Sequence, residues 1–160
     1  MIRLDFLESV EAFKDLNDHQ LTAIKDCGQI VEFKRGDIVF SKGEESKFVW
    51  ILMDGQIDLR EDISTKNNDS KDSVSFISKA QTFGWSCFVP PYTYRLSGYC
   101  NSRTCRMIKF DKQCLTDLFE RDLDIGYCVM FHLVQVVGTH FKNFQDELAK
   151  KRGIDIISQW

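Results

Sequence analysis

From Gln29 to Phe110 the sequence alternates apolar and polar residues with a period of two, and glycine turns break the alternation every few residues. That pattern constrains the fold more than any other feature. Short strands joined by tight turns cannot form a parallel sheet, which needs a crossover of a dozen or more residues between neighbours. They can bury one face each by closing into an antiparallel sandwich or roll. Val31 and Phe33 share one face, with Glu32 and Lys34 on the other. Arg35-Gly36-Asp37 is a turn, Ile38 to Ser41 a second strand, and Lys42-Gly43-Glu44 its end. Phe48 to Met53 is a run of six apolar residues, the signature of a strand buried on both faces. Asp54-Gly55 then predicts a hairpin, with Ile57 and Leu59 alternating along the returning strand. Glu61 to Ser73 is polar and reads as a mobile hairpin loop. Val74 and Phe76 begin another strand, and Arg95–Cys100 with Thr104–Phe110 read as a final hairpin around Asn101-Ser102-Arg103.

Helices flank this β region. Phe6, Leu7, Val10 and Phe13 recur at helical spacing, so a short amphipathic helix is expected over 4–14. Asn17 with Gln20 three residues on is a capping box. It predicts a second helix with Leu21, Ile24 and Cys27 on its face, ended by Gly28. Asp111 can cap a helix running to about Arg121. A long helix follows from about Leu123 to Arg152, where Gly153 ends it. Leu123, Tyr127, Met130, Val134, Val137, Phe141, Phe144 and Leu148 recur at alternating gaps of four and three, an unbroken heptad seam. Such a seam buries itself against another helix or against the chain's own β-roll. Its length favours a parallel self-dimer. The expected architecture is mainly β with flanking helices: a double-stranded antiparallel roll with two N-terminal helices and one long C-terminal helix. The expected organisation is a roll unit over 1–121, a dimerisation helix over 122–152 and a tail over 153–160.

Composition narrows the functional classes. The net charge is −3, so no overall field attracts nucleic acid. No run approaches the ~20 apolar residues of a membrane span. Met1 to Phe13 carries acidic residues where a secretion signal would be apolar, and the six cysteines form no CxxC pair. These features predict free thiols and a reducing, cytoplasmic location. No Ser-His-Asp or paired-carboxylate arrangement is legible, so an enzyme is not expected.

The chemistry concentrates in Gln81 to Cys100, QTFGWSCFVPPYTYRLSGYC. Phe83-Gly84 opens the stretch, five residues follow that suit a single helical turn, and Pro90-Pro91 breaks it. A helical turn after Gly84 leaves N–H groups pointing outward, a ready place for an anion. Arg95, on the extended run that follows, would close a clamp on a phosphate or carboxylate. The candidate ligand-binding residues are therefore Phe83, Gly84, Trp85, Ser86, Cys87, Arg95 and Ser97. The plainer reading is a covered loop at the mouth of a barrel with an ordinary surface arginine. Elsewhere, Cys128 and His132 lie four apart on a helix, a spacing that suits a shared metal, but no third ligand is near in sequence and the core reading is preferred. Cys100 and Cys105 bracket a turn and can face one another. Cys87 at a helix start is a candidate reactive thiol. His140 reads as a flank of the seam, and Lys150-Lys151-Arg152 as favourable charge at a helix C-terminus.

The order of elements, together with FKRGDIVFSKGEESKFVWILMDGQIDL, resembles the cyclic nucleotide-binding domain family over about residues 6–121. Gly36, Gly43, Gly55 and Gly84 match the family's turn glycines, and the long helix resembles the dimerising helix of the catabolite activator protein group. The resemblance implies a site for a cyclic nucleotide or another small anionic ligand. It also implies that a polar residue of the long helix, Thr139 or Asn143 here, reaches that ligand. The family follows Phe-Gly with a Glu for the ribose 2′-hydroxyl, and this chain has Trp85. The family places an arginine on the cyclic phosphate. An ungapped count puts Tyr94 there, and Arg95 takes the place if the loop is one residue longer. GWS…VPPY resembles a bacterial subgroup. No helix-turn-helix follows the long helix, so this chain is not expected to bind DNA. Three functions are weighed: a dimeric regulatory sensor with weakened or altered cAMP or cGMP binding, a scaffold whose pocket Trp85 closes, and a thiol sensor acting through Cys87.

Overall fold

The structure, a computed structural model, describes residues 1–61 and 73–153. The eight strands are β1 (Gly28–Lys34), β2 (Ile38–Phe40), β3 (Phe48–Asp54), β4 (Ile57–Arg60), β5 (Ser73–Ile77), β6 (Thr82–Phe83), β7 (Ser97–Cys100) and β8 (Thr104–Asp111). They form two antiparallel four-stranded sheets, ordered β1-β8-β3-β6 and β2-β7-β4-β5. The helices are α1 (Leu4–Glu8), α2 (Asp18–Asp26), α3 (Lys112–Arg121) and α4 (Leu123–Arg152). The expected architecture, a mainly antiparallel roll flanked by helices, is the observed one. Most of the interior of the polar 61–73 loop lies outside the described residues.

Local chemistry places the helices. Asn17 and Gln20 form the capping box at the start of α2, each side chain bonded to the other's backbone N–H at 3.0 Å. The first helix is shorter than expected: α1 stops at Glu8, and a single 3₁₀ turn covers Glu11–Phe13. Ser9 is the cause. Its hydroxyl donates to Phe6 O at 2.6 Å, a local bond that competes with helix continuation. Gly28 does not end α2 either. Cys27 caps it in right-handed conformation, and Gly28 opens β1 close against Phe110. The caps of α3 and α4 are Asp111 and Asp122, and Gly153 ends α4 in left-handed conformation.

Two apolar cores follow. One, around Leu7, Phe13, Ile24, Phe110, Leu115, Ile125 and Val129, glues the helices to the outer face of the β1-β8-β3-β6 sheet. The other, around Phe40, Trp50, Ile57, Phe83, Tyr94 and Met107, fills the space between the sheets. β3 contributes to both, so Val49 and Ile51 face the helices while Trp50 and Leu52 face the roll interior. That is why Phe48–Met53 is a continuous apolar run.

Two predicted hairpins are corrected. β3 and β4 lie in different sheets, and so do β7 and β8. Asp54-Gly55 and Asn101–Arg103 are corners that carry the chain from one sheet to the other. The corners brace each other: Asn101 N donates to Gln56 O at 2.9 Å, and Cys105 Sγ lies 3.1 Å from the same oxygen. Gly55 has φ +96°, and a Cβ there would stand 2.7 Å from Thr104 O. The thiols are not all free, because Cys27 and Cys114 form a disulfide. Pairing of Gly28 with Phe110 brings the end of α2 beside the start of α3. A spacing of 87 residues gave the sequence no local sign of it.

Gly55→Ala is predicted to cost at least about 2 kcal/mol, because it combines left-handed strain with a backbone clash. Urea denaturation measures it, and a cost under about 0.5 kcal/mol would mean the corner relaxes freely.

Candidate functional site

The site is a groove between the roll and α4. Its inner wall comes from β4, β5 and β6 and the turn after them: Leu59, Val74 to Ile77, and Gln81 to Trp85. Its outer wall is α4, through Val137, His140, Asn143, Phe144 and Glu147. The cavity holds about 510 Å³, within the range of small-molecule sites. A second cavity of about 340 Å³ adjoins it and shares Gln81, Thr82, His140 and Asn143.

The groove exists because the inward row of α4 changes character. Ile125 and Val129 are buried in the helical core, and Leu133 is buried one turn further on. The same row continues at gaps of three and four through Val136, His140, Asn143 and Glu147. Apolar side chains seal the first half; in the second, His140, Asn143 and Glu147, with Val137 and Phe144 beside them, wall a space against Phe76 and Phe83. That inward row was the signal that reading only the outer heptad missed. It would have assigned His140 and Glu147 to the groove. The expectation for Asn143 and Thr139 agrees with their place: Asn143 lines both cavities and Thr139 the smaller one.

Of the predicted ligand residues, Phe83, Gly84 and Trp85 line the groove, while Ser86, Cys87, Arg95 and Ser97 do not. Gly84 has φ +80°, and a Cβ there would lie 2.7 Å from Trp50 Cδ1, so the turn packs directly on the roll interior. The helical turn after it is a 3₁₀ turn of four residues, Trp85–Phe88. Trp85 neither stacks in the open groove nor fills it. Its ring stacks on Phe88 at 6.3 Å and packs against the helical core, and its Nε1 is buried without a hydrogen-bond partner. The indole thus borders the groove without closing it.

The expected arginine clamp is not formed. Arg95 is exposed, and Tyr94 takes the inward position. Its ring stacks on Phe40 at 4.0 Å, its hydroxyl accepts from Trp50 Nε1 at 3.2 Å, and it lies 3.4 Å from Phe48 O. Phe40, Trp50, Phe83 and Tyr94 thus fill the mouth of the roll as one aromatic cluster. The register is fixed by the turn opposite. Tyr94 O accepts from Gly43 N, Glu44 O accepts from Tyr94 N, and Tyr92 O accepts from Ser46 N, all at 2.8–2.9 Å. Neighbours on an extended segment point to opposite sides, so docking Tyr94 inward turns Arg95 out. Ser97 is buried and its hydroxyl accepts from Lys42 N at 2.8 Å, so it holds the turn at Ser41–Glu44. Among the described lining residues there is no lysine or arginine, and Glu147 is the one carboxylate.

The cysteines and histidines take other roles. Cys87 is fully buried, and burial pushes its thiol up to about 12, which Lys112 only partly offsets. Cys87 is therefore a small buried core residue, the reading the sequence favoured over a reactive thiol. Cys128 Sγ donates to Lys14 O at 3.2 Å, and His132 Nε2 lies 3.0 Å from Asp15 Oδ2. This pair fastens α4 to the N-terminal segment. Among the described residues no three His, Cys, Asp or Glu side chains are placed to hold a metal. No described helix is long and apolar enough to cross a membrane.

A double-sheet roll with a Phe-Gly turn and a long C-terminal helix beside it defines an antiparallel β-roll domain. The four matched turn glycines, Gly36, Gly43, Gly55 and Gly84, all have positive φ, as such a roll requires. The model of the cyclic nucleotide-binding domain matches residues 30–122, and the chain belongs to that family. Over 80 residues it is 31% identical to cGMP-dependent protein kinase 2 of Homo sapiens; the match covers 50% of this chain and 10% of the kinase. The matched stretch spans about a tenth of the length of these curated relatives. A cyclic nucleotide-binding domain from Methylobacillus flagellatus KT has the same fold, with TM-score 0.78, 13% identity and coverage of 98% and 84% of the two chains. The sensor domain of the transcriptional regulator DNR from Pseudomonas aeruginosa superposes with TM-score 0.66, 16% identity and coverage of 98% and 99%.

Because its thiol is protonated at pH 8, Cys87 is predicted to resist alkylation in the folded chain and to react only on unfolding. Peptide mapping after iodoacetamide treatment at pH 8 checks this. Labelling of Cys87 at the rate of a free thiol would contradict it.

Proposed function

We propose that this chain is a regulatory sensor domain of the cyclic nucleotide-binding type, with weakened cAMP and cGMP binding, that works as a homodimer through α4. The observation that carries the reading is Tyr94: an aromatic ring fills the place where the family resemblance puts the phosphate arginine. Trp85 likewise stands where the resemblance puts the ribose carboxylate. Each missing charge-assisted bond is worth about 1.5–3 kcal/mol, against about 8 kcal/mol for micromolar binding. Losing both leaves cyclic nucleotides at hundreds of micromolar or weaker.

The groove still supports sensing. A ligand there touches Phe76 and Phe83 on the roll and His140 and Asn143 on α4 at once. It can favour one placement of the helix over another only through such differential contacts. The outer face of α4 supports the dimer: Leu123, Tyr127, Val134 and Phe141 are 74%, 73%, 70% and 53% exposed in the single chain. A stripe of that size on one face marks an interaction surface. The same reading keeps the domain in the cytoplasm, with its output supplied by a partner.

Calorimetry and tryptophan fluorescence with cAMP and cGMP test the reading. The expected result is saturable but weak binding, tightened by at least about tenfold in Trp85→Glu, which returns one carboxylate for the ribose. Submicromolar binding by the unaltered chain would refute the weakened site. A flat trace to millimolar nucleotide in both proteins would favour the scaffold reading.

A further inference from the structure

Cys27 caps α2 one residue before β1, and Cys114 lies in the first turn of α3, three residues after β8. Their disulfide spans 87 residues of sequence, so the loop it closes contains all eight strands. Helices α1 and α2 lie before the loop, and all of α4 lies after it. The bond therefore pins the two ends of the roll together at the point where the chain turns toward the rod.

The rest of the chain is not a disulfide scaffold. Cys87, Cys100 and Cys105 are buried free thiols, and Cys100 and Cys105 remain unbonded with their sulfurs 2.6 Å apart. The bonded pair differs in being half-exposed. Beneath it, Ile24 of α2 and Leu115 of α3 belong to one buried cluster with Phe110. The helices thus stay docked when the bond opens, and what is lost is a tether on the first turn of α3. Gly126 of α4 packs directly on Phe119, so movement of α3 passes to the rod.

We propose that Cys27–Cys114 is a reversible thiol–disulfide site, with a dithiol reductant as co-reactant, whose state sets how firmly α3 is held to the roll. A thiolate of the dithiol attacks Cys27 Sγ, and the Cys27–Cys114 bond breaks. Cys114 leaves as thiolate and takes a proton; the first turn of a helix favours that negative charge. The second thiol of the reductant then attacks its own sulfur in the mixed disulfide, which releases Cys27 as a thiol. Two electrons and two protons pass to the protein, and the reductant becomes a disulfide. The same exchange run backward restores the bond. The proposal is independent of the ligand reading, since no groove residue takes part.

The test uses the full chain purified without reductant, with and without dithiothreitol, alkylated under native conditions and mapped by mass spectrometry. Amide exchange is followed in parallel. Cys27 and Cys114 should become labelled only after dithiothreitol, while Cys87, Cys100 and Cys105 stay protected in both samples. Exchange over Lys112–Arg121 should rise by about tenfold on reduction, with β3 unchanged. The Cys27→Ser/Cys114→Ser variant should show the fast exchange with or without reductant. If that variant does not fold, the reduced unaltered chain decides alone. Labelling of the pair before reduction, a pair that stays blocked in the folded chain after it, or opening without a change in α3 would each overturn the proposal.

Discussion

One helix carries both a buried face and an exposed apolar stripe. Ile125 and Val129 of α4 pack into the helical core and Leu133 is buried one turn on, while an exposed apolar stripe runs along the helix from Leu123 to Leu148. Burying a large aliphatic side chain is worth about 1.5–3 kcal/mol, so three such anchors fix the first half of the rod. Cys128 and His132 add polar contacts to Lys14 and Asp15, which close the same joint. The second half has no such anchors on its inner face. It passes over the roll with polar residues toward Phe76 and Phe83, and the groove is the gap that results.

The roll supplies the other rigid half. Its two sheet-crossing corners brace each other at one end, and the aromatic cluster of Phe40, Trp50, Phe83 and Tyr94 closes the other. That cluster explains why the mouth of the roll has the shape of a family member without the charge. A tyrosine that stacks and hydrogen-bonds in an apolar interior is satisfied there. A guanidinium in the same place without an anion would not be. The open space lies outside the roll interior, at the seam between the roll and α4.

Much of this was legible in the residues. The Asn17–Gln20 capping box, the buried Phe48–Met53 strand, the turn glycines, the Asp111 cap and the end of α4 at Gly153 are all encoded by local geometry, and each stands where the sequence put it. What local geometry cannot encode is which sheet a strand joins. Asp54-Gly55 has the residues of a hairpin turn, yet its φ serves a corner equally well. Nor does spacing reveal contacts such as Cys27 with Cys114, which depend on β1 pairing with β8. Inside the site, the choice between Tyr94 and Arg95 turned on one residue of register, set by backbone bonds to Gly43, Glu44 and Ser46. One reading had Trp85 closing the pocket, but its ring packs on Phe88 and the helical core instead.

The account rests most heavily on the outer stripe of α4 pairing with a second copy, because only then does the rod have both faces covered. Sedimentation equilibrium of the full chain, beside a Val134→Glu/Val137→Glu variant, measures this directly. The account predicts twice the 18.6 kDa chain mass for the unaltered protein at micromolar concentration, and the single-chain mass for the variant. A single-chain mass for both would contradict it.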